Sequence, residues 1–397
     1  MPPTNHSILG ASSAERWINC PGSVNATMFI PDKGSSYAAE GSLAHELCEL
    51  YTRRALGLAI PAGMTEENIR SNKYWSDEMI SCAEGYRDYI IERAGHYVSP
   101  YVDLEVKVDY SHIAPGGFGT TDAVIIGEDR ETGVMTIEIV DYKHGKGVPK
   151  FAPGNPQMRL YSLGAAHVYG FIYGEFELAR STIYQPRLDS VSFDETPMSE
   201  LRQWAADTVR PAALEATSPD AHFSAGHWCQ FCKIKGSCRE RAKLYTSIED
   251  DFKDVVTGEY RPPSTLSNDE IGEVLRRMDT ISNYVTDVKE YVFDCISSGE
   301  EVPGWKLVAG RSTRSFTNVD EAFDAIKAAG VDEALLYERK PITLTACEKL
   351  LGKKVFAEVC EPYIHKPEGK PTLAPESDKR PALEMCSSAE SDFKDFI

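Results

Sequence analysis

Residues 119–161 read GTTDAVIIGEDRETGVMTIEIVDYKHGKGVPKFAPGNPQMRLY, and their patterning decides the fold. Two strand-like runs lie here, one with Asp122 at its start and one from Met135 to Lys143. Side chains alternate across a strand, so Asp141 and Lys143 share one face and Tyr142 takes the other. A Gly/Pro-rich turn follows, then a helix on which Gln157 and Tyr161, four residues apart, share a face. Two carboxylates, a lysine and a polar helix face can therefore converge on one spot. Carboxylate oxygens suit Mg2+ or Mn2+, and a lysine offsets charge that develops on a phosphate.

Upstream, Tyr101 to Tyr110 alternates strictly, with Val102, Leu104, Val106 and Val108 against Asp103, Glu105, Lys107 and Asp109. That pattern predicts a half-buried strand with the four apolar residues on one face. Glu105 could reach a metal at the next strand, but it reads as a solvated residue of the outer face. Earlier still, a helix is expected from Glu40 to about Leu56, with His45 and Glu49 one turn apart. Another is expected from Asp77 to Tyr97. Beyond the central stretch come a helix to about Tyr169, a strand over Phe176 to Tyr184 and a helix over Met198 to Glu215. The core order is helix–strand–strand–strand–helix–strand, an α/β pattern.

The chain has 397 residues, enough for two or three domains with a sizeable core. At 42% hydrophobic and 26% charged residues its composition is that of a globular protein. No apolar run approaches the roughly 20 residues that span a bilayer. The opening MPPTNHSILGASS lacks the charged-then-apolar pattern of a signal peptide, which leads to the expectation of a cytoplasmic protein. A net charge of −19 speaks against a nucleic-acid partner, since phosphate contacts need Lys and Arg. Its distribution softens that objection. Lys143, His144, Lys146, Lys150 and Arg159 crowd the central stretch, and residues 229–243 hold five basic side chains against Glu240 alone.

Ten cysteines in a cytoplasmic chain point to metal or reduced thiols rather than disulfides. Cys229, Cys232 and Cys238 follow a C-x2-C-x5-C spacing beside Trp228 and Phe231, the pattern of a soft-metal site. A fourth ligand is needed, and the adjacent His227 is poorly placed to supply it.

From Pro262-Pro263 the character changes. An amphipathic helix carries an apolar stripe through Ile271, Leu275, Met278, Ile281, Val285 and Val292. A strand-like segment, WKLVAGRSTRSF, brings Arg311 and Arg314, and helices follow near Val319 to Ala329 and Thr345 to Tyr363. Thr345 and Glu348 have capping-box spacing. Lys366 to Ser391 has too few large apolar residues to pack. It ends in Asp392-Phe393-Lys394-Asp395-Phe396-Ile397, an acidic–aromatic peptide suited to hooking a partner protein. Three segments result: 1–260, a mainly helical 261–365, and a flexible tail at 366–397.

Gly119-x-x-Asp122, Asp141-Tyr142-Lys143 and Gln157-x-x-x-Tyr161, in this order, resemble the PD-(D/E)XK nuclease superfamily, and its RecB-like branch of phage and prophage type. The resemblance covers about residues 10 to 245. It implies a restriction-endonuclease-like core, a mixed sheet flanked by helices. It implies also an Mg2+- or Mn2+-dependent DNA nuclease, of exonuclease type, in phage DNA replication and recombination. His45, Asp122, Asp141 and the Tyr142 carbonyl would hold the metal. Lys143 would position or activate the attacking water, and Gln157 and Tyr161 would orient the strand. In the AddB-type and CRISPR-associated iron–sulfur nucleases an upstream cysteine completes the triplet. Cys20 occupies that place, which implies a [4Fe–4S] cluster on Cys20, Cys229, Cys232 and Cys238, with structural zinc as the alternative. A non-catalytic DNA-end or partner-binding protein on the same fold is the competing reading, and the intact Asp122, Asp141 and Lys143 argue against it. An RNA-directed or structural metal-binding role is a third.

Overall fold

Five strands form one sheet in sequential order: β1 (Tyr97–Asp109), β2 (Phe118–Asp129), β3 (Met135–Tyr142), β4 (Leu178–Gln185) and β5 (Ser190–Pro197). The pairs β1–β2, β2–β3 and β4–β5 are antiparallel, and β3–β4 is parallel. A parallel pair needs a crossover, and α6 (Pro156–Tyr173) supplies it. The computed structural model describes residues 7–31, 34–246, 268–308 and 318–328, with a few isolated positions beyond.

Helices cover both faces of the sheet. Ahead of it come α1 (Ala14–Asn19), α2 (Gly22–Thr27), α3 (Ser36–Leu56), α4 (Glu66–Arg70) and α5 (Glu78–Gly95). After it come α7 (Met198–Trp204), α8 (Arg210–Ala216), α9 (Arg239–Thr246), α10 (Asn268–Ser297) and α11 (Val319–Ala328). One core joins Leu43, Leu47 and Leu50 of α3 and Tyr86 and Ile90 of α5 to Ile125, Val140 and Tyr142. The other joins Trp17 of α1, Leu160 and Leu163 of α6 and Leu201 and Val209 to Val124, Ile137, Ile139 and Ile183. The architecture is therefore mixed α/β, with a five-stranded mixed sheet flanked by helices, in the expected element order. The strand β5 was not anticipated.

The expected single-faced alternation of β1 is corrected at Glu105. Val102 and Leu104 pack on the α3/α5 side, whereas Val106 and Val108 are buried on the α6 side. Glu105 itself adopts φ 54, in the left-handed region that a side chain with a Cβ rarely enters. That residue advances the pleat by half a period, so later even-numbered residues change face. Sequence periodicity carries no sign of such a step.

The expected helix from Met198 to Glu215 is interrupted by a π-turn over Ala205–Val209. Pro211 in the first turn of α8 has no N–H to donate back into the preceding turn, and a wider turn absorbs the mismatch.

The buried Glu138 of β3 is held by a bidentate pair with Arg93, Nε to Oε1 and Nη2 to Oε2, each at 3.0 Å, and by the Tyr97 hydroxyl at 2.7 Å. Arg180 lies 3.5 Å away and also pairs with Glu195. Farther along, α10 docks on the cysteine segment. Asp287 pairs with Lys235 and with Arg241, each at 2.6 Å. The chain divides into two compact units, Met1–Val308 and Ala309–Ile397. The second contains α11, an amphipathic helix of 10 residues. Residues 305–308, expected as the start of a strand, are irregular. Pro262-Pro263, Arg311 and Arg314, the Thr345–Glu348 pair, most of the helix expected to Tyr363, the tail from Lys366 and the terminal Asp392–Ile397 peptide lie outside the described residues. No helix among the described residues is long and apolar enough to cross a membrane.

Candidate active site

Three elements bring the polar side chains of the central stretch together. Asp122 projects from β2, Asp141 and Lys143 come from the end of β3, and α6 begins beside them. The start of α6 is set locally: the Asn155 side chain accepts from the N–H groups of Gln157 and Met158, and Pro156 takes the first position. Gln157 therefore projects from the first turn, where its Nε2 donates to Asp141 Oδ1 and to the Tyr161 hydroxyl, each at 3.3 Å. Lys143 Nζ lies 2.7 Å from Asp141 Oδ2.

Gly119 makes room for this arrangement. A Cβ there would fall 2.7 Å from Cε1 of Tyr161, so the tyrosine ring rests on bare backbone of β2. That contact is the physical content of the glycine three residues before Asp122.

Asp122 links the strand residues to α3. Its Oδ2 accepts from the Tyr142 backbone N–H at 2.6 Å, and its Oδ1 lies 3.1 Å from Nδ1 of His45. His45 sits on the third turn of a helix capped by Ser35, with its ring edge-on to Tyr142 at 5.2 Å. The Tyr142 side chain is buried on the opposite face from Asp141, as alternation predicts, and meets His144 Nδ1 at 2.8 Å.

Glu105, assigned to solvent from the sequence, keeps an exposed position and also reaches this group. One ligand atom each from His45, Glu105 and Asp122 lie within 4.8 Å of one another, a set able to hold a metal ion. Arg53 anchors the kink: it donates to the Leu104 carbonyl at 3.0 Å and pairs with Glu49 at 2.7 Å. Glu49, one turn from His45, is thereby occupied. The only sequence signal for Glu105 was its ladder position beside Asp122. Asp141 stands next to this set, paired with Lys143.

The electrostatics are those of crowded carboxylates. Burial and the neighbouring Asp122 push the Glu105 carboxyl up to about 7. Burial also raises Asp141 against the pull of Lys143. Asp122 is buried too, but His45 and the Tyr142 N–H hold its carboxyl below the usual range. Burial alone would lower His45 and Lys143, yet Asp122 raises the former, and Asp141 with Asp122 raises the latter. Tyr161 is pushed up to about 12 by burial and by Asp141. Three carboxylates against one imidazole and one ammonium leave an excess of negative charge that a divalent cation neutralises.

The basic residues expected around the site divide. Lys146 lies 4.0 Å from Glu78, and Lys150 sits over Phe231 at 5.6 Å. His144 is buried against Tyr142, and Arg159 stacks on Trp204 at 5.5 Å.

The four cysteines come together from opposite ends of the first unit. Cys20, Cys229, Cys232 and Cys238 line one pocket with Arg16, Lys235 and Arg241. Ser224 N–H points at Cys20 Sγ from 3.3 Å, and Arg16 donates to the Phe231 carbonyl at 3.2 Å. Burial pushes the Cys229 and Cys232 thiols up. His227 pairs with Glu15 at 2.8 Å and does not line the pocket.

Two solved structures resemble the chain weakly. One, named "Putative exonuclease", from Eubacterium rectale, matches with a TM-score of 0.31 and 13% identity over 52% of this chain and 80% of that one. The other, SSO0001, matches with a TM-score of 0.22 and 13% identity over 57% of this chain and 96% of that one. At these scores neither likeness carries weight for fold or function. The chain itself belongs to the family described as "Protein of unknown function (DUF2800)", whose model matches residues 6–381.

Proposed function

We propose that this protein is a Mg2+- or Mn2+-dependent deoxyribonuclease of PD-(D/E)XK type, an exonuclease acting in phage DNA replication and recombination. The observation that carries the reading is the convergence of buried Asp141 with half-buried Asp122, Lys143 and His45 at the sheet end, with Gln157 and Tyr161 bound onto it. The donor set suits a hard cation: carboxylate oxygens of Asp122 and Glu105 and a nitrogen of His45, with Asp141 adjacent. Held by these residues, a divalent cation would lower the pKa of a bound water and polarise a phosphoryl oxygen.

The chain's own residues do the rest. Lys143 holds its proton firmly against Asp141 and offers an N–H to charge that builds on a phosphate oxygen. Gln157 steadies the Asp141 carboxylate and Tyr161 steadies Gln157, so the acid keeps one orientation as DNA enters. Lys146 and Lys150, on the segment between β3 and α6, supply positive charge for contacts to a DNA backbone.

Cys20, Cys229, Cys232 and Cys238, gathered in one pocket, would hold a [4Fe–4S] cluster through their thiolates. Arg16 lines the pocket, with Lys235 and Arg241 that also pair with Asp287, and together they offset part of the negative charge that four thiolates bring. Structural zinc on the same four cysteines is the alternative. When bound, the cluster serves as a structural tie between α1 and the cysteine segment. End-labelled single- and double-stranded DNA incubated with purified protein, with and without Mn2+, tests the reading. Metal-dependent shortening from the ends supports it, and binding without cleavage would transfer the assignment to a DNA-end-binding protein on the same fold.

A further inference from the structure

A second concave site lies at the far end of α6. Gln157 and Tyr161 serve the metal centre from the first turns, whereas His167, Gly170 and Gly174 line a separate cavity of about 490 Å³. Ten residues of helix put His167 about 15 Å along the axis from Gln157. The volume falls within the range of small-molecule sites.

Its lining is chemically selective. In a chain of net charge −19, the charged and titratable groups here are Arg202, Arg210, His112 and His167, against Glu175 alone. The two imidazoles stack at 4.2 Å with an interplanar angle of 25°. Arg202 reaches Glu175 only at 3.8 Å, and its side chain is 54% exposed, so its charge is little neutralised. Arg210 donates one Nη2 bond to the His112 carbonyl at 3.1 Å, and a guanidinium has further N–H groups to offer. Burial, with His167 and Arg210 nearby, holds His112 below the usual imidazole value, although Asp109 pulls the other way. Two guanidinium groups and two imidazoles are gathered here against the carboxylates of Glu175 and the nearby Asp109. The remaining wall is apolar, with Phe176, Leu163 and Met198. The π-turn Ala205–Val209, a distortion frequent at functional sites, forms part of the same wall through Ala205 and Ala206.

We propose that this cavity binds a nucleotide through its phosphate monoester. Arg202, Arg210, His112 and His167 receive the dianion, and the wall around Phe176 receives the base. Guanidinium groups suit phosphate because they offer paired donors. The cavity is too large for inorganic phosphate alone, and its apolar wall has no use for one. The same phosphate monoester occurs on a free mononucleotide and at the end of a DNA strand. This inference does not rest on the nuclease reading, since binding needs neither metal nor cleavage.

The test is calorimetric titration of the full chain in EDTA with deoxyadenosine monophosphate, deoxyadenosine, and an octanucleotide with or without a 5′-phosphate. Saturable monophosphate binding is expected, with deoxyadenosine at least about tenfold weaker, the size of a lost charged hydrogen-bond set. Arg210→Gln and His167→Gln, both at exposed positions, should each weaken it about tenfold at unchanged melting temperature. Asp141→Asn should leave it unchanged. Phosphate-dependent octanucleotide binding that Arg210→Gln removes assigns the strand end as ligand, and binding of the monophosphate alone assigns the free nucleotide. No saturable binding, equal affinity for deoxyadenosine, or a loss in Asp141→Asn but not in Arg210→Gln would overturn the proposal.

Discussion

Glu105 lies across the β1–β2 ladder from Asp122, between the pairs Leu104↔Ala123 and Val106↔Thr121, and reaches it from a left-handed backbone. Two carboxylates and His45 thus converge where two strands and α3 meet. Strain of this kind, of order 1–3 kcal/mol, persists only where the surroundings enforce it. Here the Arg53 bond to the Leu104 carbonyl and the buried flanking residues do so.

Glu105→Gln should weaken Mn2+ binding by tenfold or more in calorimetry, because one anionic oxygen leaves the set. Wild-type affinity in that variant would remove Glu105 from the metal site.

The same residue sets a pH dependence in metal-free protein. In the unfolded chain its carboxyl loses its proton near the ordinary glutamate value, while in the fold it keeps the proton to about 7. The folded state therefore binds more protons between those values, and stability falls as pH rises through that window. Thermal melts in EDTA from pH 4.5 to 7.5 should decline with a shallower slope in Glu105→Gln. Added Mn2+ should reverse the decline.

Asp141→Asn and Lys143→Ala should each lower cleavage by several powers of ten while keeping the circular dichroism of the wild type. Gly119→Ala should act on the same assay less directly. Its methyl group would press on Tyr161 and shift Gln157 off Asp141, with a larger effect on rate than on melting temperature.

Glu138→Ala should destabilise the fold by about 3–5 kcal/mol in urea titrations, since Arg93 and Arg180 would remain beside an uncompensated buried site. Its face of the sheet is opposite Asp141, so residual folded protein should keep its metal affinity.

Cys20→Ser should yield protein without iron that melts early, although Cys20 is remote in sequence from every catalytic residue. Ligation by Cys20 and Cys229 closes a loop of about 200 residues, and metal binding then contributes to folding. Brown anaerobic protein with about four irons per chain is expected from the wild type. Retention of metal and stability in the variant would make Cys20 only a buried thiol.

The sequence by itself determined the strands carrying Asp122 and Asp141, the shared face of Asp141 and Lys143, and the helix that presents Gln157 beside Tyr161. Those features follow from periods of two and of 3.6 and from a local cap at Asn155, all interactions between near neighbours. Tertiary structure alone decided the approach of His45 to Asp122, 77 residues away, and of Cys20 to the Cys229 segment. It decided also the step at Glu105, the docking of Asp287 on Arg241, and the π-turn beside the second cavity. Each of these depends on how packed elements resolve a mismatch, in backbone direction, buried charge or helix register. Such a mismatch exists only once the elements touch, so periodicity along the chain cannot carry it.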